Sequence, residues 1–124
     1  MKILYNDEQH LKGCFLYALS FMGQEADISV LKHLAKNEGY GNEYFECTYS
    51  DNYDDLYPRP EGYVAYICWE WDDDEIDTVV FFEPNLFYQR LKQICLRTAL
   101  IHPFQLKTIV TCLAKIKHDL KLDK

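Results

Sequence analysis

Apolar residues recur at three- and four-residue steps near the start of the chain. Leu11, Cys14, Phe15, Ala18, Leu19 and Met22 form one stripe, the pattern of an amphipathic helix. Asp7 is placed to cap it, Gly13 weakens its interior and Gly23 is a natural stop. Asp27 is a cap for a second, shorter helix with Ile28, Leu31, Leu34 and Ala35 on its apolar face and Gly39 just past its end. The period then changes from helical to alternating. Residues 43–49 alternate and are rich in strand formers, which predicts a strand. Residues 50–62 hold Asp51, Asn52, Asp54, Asp55, Pro58, Pro60 and Gly62, which is loop chemistry. Residues 63–71 are the strongest strand, with Val64, Tyr66 and Cys68 facing one way and Tyr63, Ala65, Ile67 and Trp69 the other. Asp72, Asp73, Asp74 and Glu75 make a charged turn, and residues 76–83 return as a third strand.

Pro84 suits the first turn of a long helix carrying Leu86, Leu91, Ile94, Cys95, Thr98 and Leu100 or Ile101. His102-Pro103 breaks it. A last helix has Leu106, Ile109, Val110, Leu113, Ile116 and Leu120 on one side, with Lys107, Lys115, Lys117 and Lys121 mostly off it. Two helices, an antiparallel meander of three strands or slightly more, and two further helices give an α+β fold with the helices packed on the sheet. At 124 residues the length fits one domain over 1–124, without room for two ordinary cores.

Composition narrows the class without naming a function. Hydrophobic residues make up 48% and aromatics 15%, too much for a disordered chain. The start runs from Met1-Lys2-Ile3-Leu4-Tyr5 straight into Asn6-Asp7-Glu8, without the apolar core of a signal peptide. No apolar run approaches the roughly 18 residues of a membrane span. The five cysteines, Cys14, Cys47, Cys68, Cys95 and Cys112, are odd in number, widely spaced and set in apolar stretches. That suits free thiols in a cytoplasmic protein better than a disulfide framework or a zinc site.

Charge changes the picture once it is resolved by region. The formal net charge is -7, which argues against unassisted nucleic-acid binding. Residues 1–40 carry -1, residues 41–89 carry -12 and residues 90–124 carry +6. The acidic centre also holds seven of the ten tyrosines, and both tryptophans, Trp69 and Trp71. Carboxylates steer a basic partner and pair with its Lys and Arg, while Tyr and Trp supply buried anchors. The candidate contact residues are Asp51, Tyr53, Asp54, Asp55, Tyr57, Trp71, Asp72, Asp73, Asp74 and Glu75. The bland alternative is that the rings fill a small sheet core and the acids solvate loops. The basic C-terminal helices are a rival binding face, although a Lys-rich helix face is usually only solvated.

Catalytic patterns are weak. His10, His33, His102 and His118 form no spaced ligand pair, and no nucleophile elbow, P-loop or Rossmann glycine pattern occurs. His102, before Pro103 at a helix junction, reads as structural. Cys47 lies in the most acidic part of the chain, the opposite of the positive field a reactive thiolate needs. Asp72, Asp73, Asp74, Glu75 and Asp77 offer oxygens to calcium, but EF-hand spacing is absent. No metal or other cofactor is expected.

The block Gly39-Tyr40-Gly41-Asn42-Glu43-Tyr44-Phe45-Glu46-Cys47 resembles one in bacterial contact-dependent growth inhibition immunity proteins, in the family described as ribonuclease toxin immunity proteins. The similarity extends at pattern level to the Ile101-His102-Pro103 junction and the last helix. The resemblance implies a non-enzymatic, cytoplasmic inhibitor that binds a delivered toxin domain and blocks its nuclease site. Toxin-contacting residues differ between members, so it assigns none here, and the block itself reads as a fold signature. The charge reading agrees, since an RNA-cleaving partner needs a basic active face that an acidic inhibitor would cover. A monomer bound to a basic nuclease domain is expected. A small carboxylate- or Cys-dependent enzyme and an acidic mimic of nucleic acid are the alternatives.

Overall fold

The structure is a computed structural model and describes residues 2–49, 60–69 and 76–123. Five strands form one mixed sheet: β1 (Lys2–Tyr5), β2 (Tyr40–Gly41), β3 (Phe45–Thr48), β4 (Val64–Trp69) and β5 (Ile76–Phe82), in the order β1-β5-β4-β3-β2. The expected meander is present as β3, β4 and β5, with antiparallel pairs that set Cys47 opposite Tyr66 and Tyr66 opposite Val80. Two strands enlarge it. β2 extends one edge by pairing Tyr40 with Cys47 and Gly41 with Glu46. β1 closes the other edge and runs parallel to β5, Lys2 opposite Thr78 and Tyr5 opposite Phe81. So short a stretch carries no alternation long enough to announce a strand, and its pairing is set by β5.

Four helices follow the expected order: α1 (Glu8–Gly13), α2 (Ile28–Ala35), α3 (Pro84–Ile101) and α4 (Leu106–Asp119). The caps are as the sequence indicates. Asp7 accepts from the His10 backbone N–H at 3.0 Å. Asp27 accepts from Ser29 and Val30 at 2.9 and 3.2 Å. Pro84 occupies the first turn of α3, where its missing N–H costs nothing.

Past Gly13 the first helix widens into a π-turn over Cys14–Ala18. The Leu19 N–H reaches back to the Cys14 carbonyl at 3.0 Å. Ser20 then takes a left-handed conformation, with φ of 57°, so the helix ends before Gly23. The wider turn and this reversal bring Phe21 inside, where it stacks on Phe15 at 5.9 Å. Met22, expected on the buried stripe, is 70% exposed.

The helices cover one face of the sheet. Leu11, Phe15, Leu31, Leu34, Phe87, Leu91, Ile109 and Ile116 pack there with Val64, Tyr66, Val80 and Phe82. On the opposite face Ala65, Ile67, Val79 and Phe81 form a second buried cluster, with Tyr63, Trp69 and Ile76 against it. The alternation expected along β4 therefore holds, and both of its faces are buried, as befits a central strand. Leu100, Ile101, Leu106 and Val110, expected in the core, are exposed instead. They flank the α3–α4 corner, where both helices run past the edge of what they pack against.

Thr98 fixes the helix layer in place. It is 1% exposed, donates to the Ile94 carbonyl at 2.9 Å and accepts the Ala26 backbone N–H at 2.8 Å. One hydroxyl thus ties the segment before α2 to the last turn of α3. No helix among the described residues is long and apolar enough to cross a membrane.

Candidate functional site

All ten residues expected to contact a partner, Asp51, Tyr53, Asp54, Asp55, Tyr57, Trp71, Asp72, Asp73, Asp74 and Glu75, lie outside the described residues. Of the five carboxylates weighed and set aside as a calcium set, Asp72 to Glu75 do too; Asp77 lies on β5. What is described of the acidic centre includes the sheet edge built by its first residues and the end of β4. There Gly41, Asn42, Glu43, Glu46 and Trp69 line an open hollow. The register of β4 on β5 shifts between Cys68 and Trp69, leaving one extra residue, Asp77, on β5, a usual way to re-aim side chains at a sheet rim.

Local chemistry builds this edge. A Cβ on Gly41 would come within 2.1 Å of the Phe45 carbonyl oxygen and 2.7 Å of the Glu46 Cα, so only glycine lets β2 and β3 approach. Asn42 shapes the turn between them. Its carboxamide oxygen accepts from the Tyr44 and Phe45 backbone N–H groups at 2.9 and 3.1 Å. Its Nδ2 donates to the Tyr17 carbonyl at 3.0 Å. The glycines and asparagine of the 39–47 block thus build a turn, in keeping with its reading as a fold signature.

That last bond joins the sheet edge to the π-turn. Tyr17 stacks on Phe45 with ring centres 5.1 Å apart. Leu16, Tyr17, Asn42, Glu43, Tyr44 and Phe45 line a second hollow beside the first. Leu16 also lines a third, larger concavity of about 760 Å³ between the first helix and α3. Phe15, Phe21 and Ile94 line it together with Lys12, Arg90 and Arg97. Arg90 pairs with Glu8, and Arg97 donates to Gln24 at 2.9 Å. Leu16 and Tyr17 fall off the apolar stripe of the first helix, so periodicity alone does not single them out. An apolar pair on the polar side of a helix was the available signal.

Next to Arg97 along α3 begins the apolar corner: Leu96, Leu100, Ile101, Phe104, Leu106 and Val110 are exposed, Leu100 at 84% and Phe104 at 81%. His102 sits inside this corner with Nε2 2.9 Å from Glu25 Oε1.

Groups suited to catalysis do not converge among the described residues. Each histidine meets a carboxylate near a helix end or turn: His10 with Asp7, His33 with Glu38, His102 with Glu25 and His118 with Asp123. No group of three His, Cys, Asp or Glu among the described residues could hold a metal ion. All five cysteines are free. Burial pushes the Cys14 and Cys68 thiols up from their ordinary value and Cys95 up to about 12, opposite to what a nucleophile requires. Burial likewise raises the Tyr66 and Tyr49 phenols, so both remain neutral core residues.

The arrangement is a surface with apolar centres and charged rims, the form of a protein-binding face. No curated protein and no solved structure matches the chain. Residues 7–113, however, match the family model CdiI_4, CDI immunity protein, and the chain belongs to that family of immunity proteins of contact-dependent growth inhibition.

Proposed function

We propose that the chain neutralises a ribonuclease toxin domain by binding it and covering its active site. It does so stoichiometrically and without catalysis, as a single monomeric domain in the cytoplasm of the cell that makes it. Membership of the immunity family implies a cognate toxin partner. The observation that carries the finer reading is the net charge of -12 in residues 41–89. A ribonuclease gathers phosphates with a basic face. Opposed charge both blocks such a face and speeds encounter.

The contact residues proposed are Asp51, Tyr53, Asp54, Asp55, Tyr57, Trp71, Asp72, Asp73, Asp74 and Glu75. Trp69, two positions before Trp71 in the sequence, lines one hollow with Glu43 and Glu46 on the described edge, which supports the reading of an acidic, aromatic surface. The test is recovery of the partner from the producing cell, followed by incubation of the partner with RNA in the presence and absence of the chain. The reading predicts RNA cleavage that one equivalent of the chain abolishes. It also predicts an association rate that falls as salt rises. A recovered partner that leaves RNA intact, or cuts it equally with the chain present, would overturn it.

A further inference from the structure

The three concavities share lining residues around the turn between β2 and β3, the Trp69 hollow on the sheet face away from the helices and the other two on the helix face. Asn42 and Glu43 line both the hollow at Trp69 and the hollow at Tyr17. Leu16 lines both the Tyr17 hollow and the large groove against α3. Together they run as one band around the end of the sheet, with opposite charge at its two ends. Glu43 and Glu46 mark one end, and Lys12 and Arg97 the other. Leu16 and Tyr17, both exposed, lie between them. Tyr17 is already held by its stack on Phe45 and by the bond from Asn42 to its carbonyl. A pre-ordered aromatic flanked by opposite charges loses little freedom on binding, which is what an interface anchor needs.

We propose that this band is the docking face for the toxin domain, and that the matching toxin surface is bipolar: basic where it meets Glu43 and Glu46, acidic where it meets Lys12 and Arg97, and apolar over Leu16 and Tyr17. The inference rests on the chain being a toxin neutraliser and goes beyond that reading. A partner recognised by the acidic centre alone need only be basic. A partner that spans the band must carry both signs in a fixed order, and that order sets its orientation. Recognition of one toxin among many follows from the order, since a uniformly basic nuclease meets repulsion at Arg97. The central anchors are displayed because the π-turn widens the helix between Cys14 and Ala18, in keeping with the frequent placement of such turns at functional sites.

The experiment measures binding of the full chain to its cognate toxin domain, inactivated at its catalytic residue, at low salt. The substitutions are Arg97→Glu, Glu43→Lys and Leu16→Ser, all at exposed positions. Thermal midpoints are recorded alongside, to show that each variant is folded. Each charge reversal is expected to weaken binding about tenfold, and Leu16→Ser by a similar factor. Arg97→Glu that leaves affinity unchanged, or tightens it as a uniformly basic partner demands, overturns the bipolar band while toxin binding itself stands. Wild-type chain that fails to bind the toxin domain at all overturns the neutraliser reading instead, and this inference with it.

Discussion

Replacing Thr98 by Val tests how the helix layer is held. The two side chains have nearly the same shape, so packing is kept and only the hydroxyl is lost. That hydroxyl accepts the Ala26 N–H at 2.8 Å and donates to the Ile94 carbonyl at 2.9 Å. The Ile94 carbonyl sits within α3 and can keep its intrahelical partner. The Ala26 N–H precedes the Asp27 cap and loses its acceptor. Thr98 is 1% and Ala26 8% exposed, so water cannot take the place of the hydroxyl. A buried donor left unsatisfied costs about 1–3 kcal/mol. For a chain of this size each kcal/mol lowers the thermal midpoint by roughly 4 °C, so Thr98→Val is expected to melt about 4–12 °C below the wild type. Thr98→Ser keeps both bonds and loses one methyl, at about 1 kcal/mol. Urea unfolding followed by tryptophan fluorescence and by helical circular dichroism gives the free energies. Hydrogen exchange adds a local reading, because the Ala26 amide should exchange faster in the valine variant alone. A valine variant as stable as the wild type, with Ala26 still protected, would refute the claim that this hydroxyl ties α2 to α3.

Further outcomes follow from the same structure. Gly41→Ala places a Cβ 2.1 Å from a carbonyl oxygen; it should cost at least about 1–3 kcal/mol and strip exchange protection from the Cys47 amide, which faces β2 opposite Tyr40. Cys95 has its thiol raised by burial from 9.0 to about 12. Its folded form therefore stays protonated while the unfolded chain ionises, and the stability it contributes, full below pH 9 or so, is lost as pH climbs toward 12. Midpoints measured from pH 8 to 11 in reductant should fall more steeply for the wild type than for Cys95→Ala. At the exposed corner, Phe104→Ser should change stability by less than about 0.5 kcal/mol, whereas Ile109→Ala in the core should cost about 2–5 kcal/mol, both by urea unfolding. Charge reversal of Asp72 to Glu75 should slow toxin association at low salt, and the difference should shrink at high salt.

The candidate site was legible in the sequence only in part. The regional charge and the aromatic content of residues 41–89 are legible there and carry the proposal of a basic partner, and the 39–47 block marked the family. Leu16 and Tyr17 were missed for a physical reason. Periodicity ranks helix residues by which face a regular 3.6-residue turn buries, and these two fall on its polar side. The π-turn changes the local pitch, and Phe45 and Asn42, distant in sequence, then hold Tyr17 at the surface. The joining of three concavities into one band likewise needs β2, β3 and the first helix brought side by side.

By itself the sequence determined the elements governed by local interactions. Asp7 and Asp27 cap helices because short carboxylate side chains reach nearby backbone N–H groups. Pro84 opens α3, and His102-Pro103 ends it. The period-two run of β4 sorts its residues onto two faces. Tertiary structure decided what depends on partners far along the chain. β1 became a strand because β5 offered it a parallel edge. Met22, Leu100, Ile101, Leu106 and Val110 have the spacing of buried residues, yet remain exposed, with no described element covering them. Periodicity says which residues share a face. Only the packed fold says whether that face has a neighbour, because burial is a property of two surfaces and the sequence pattern describes one.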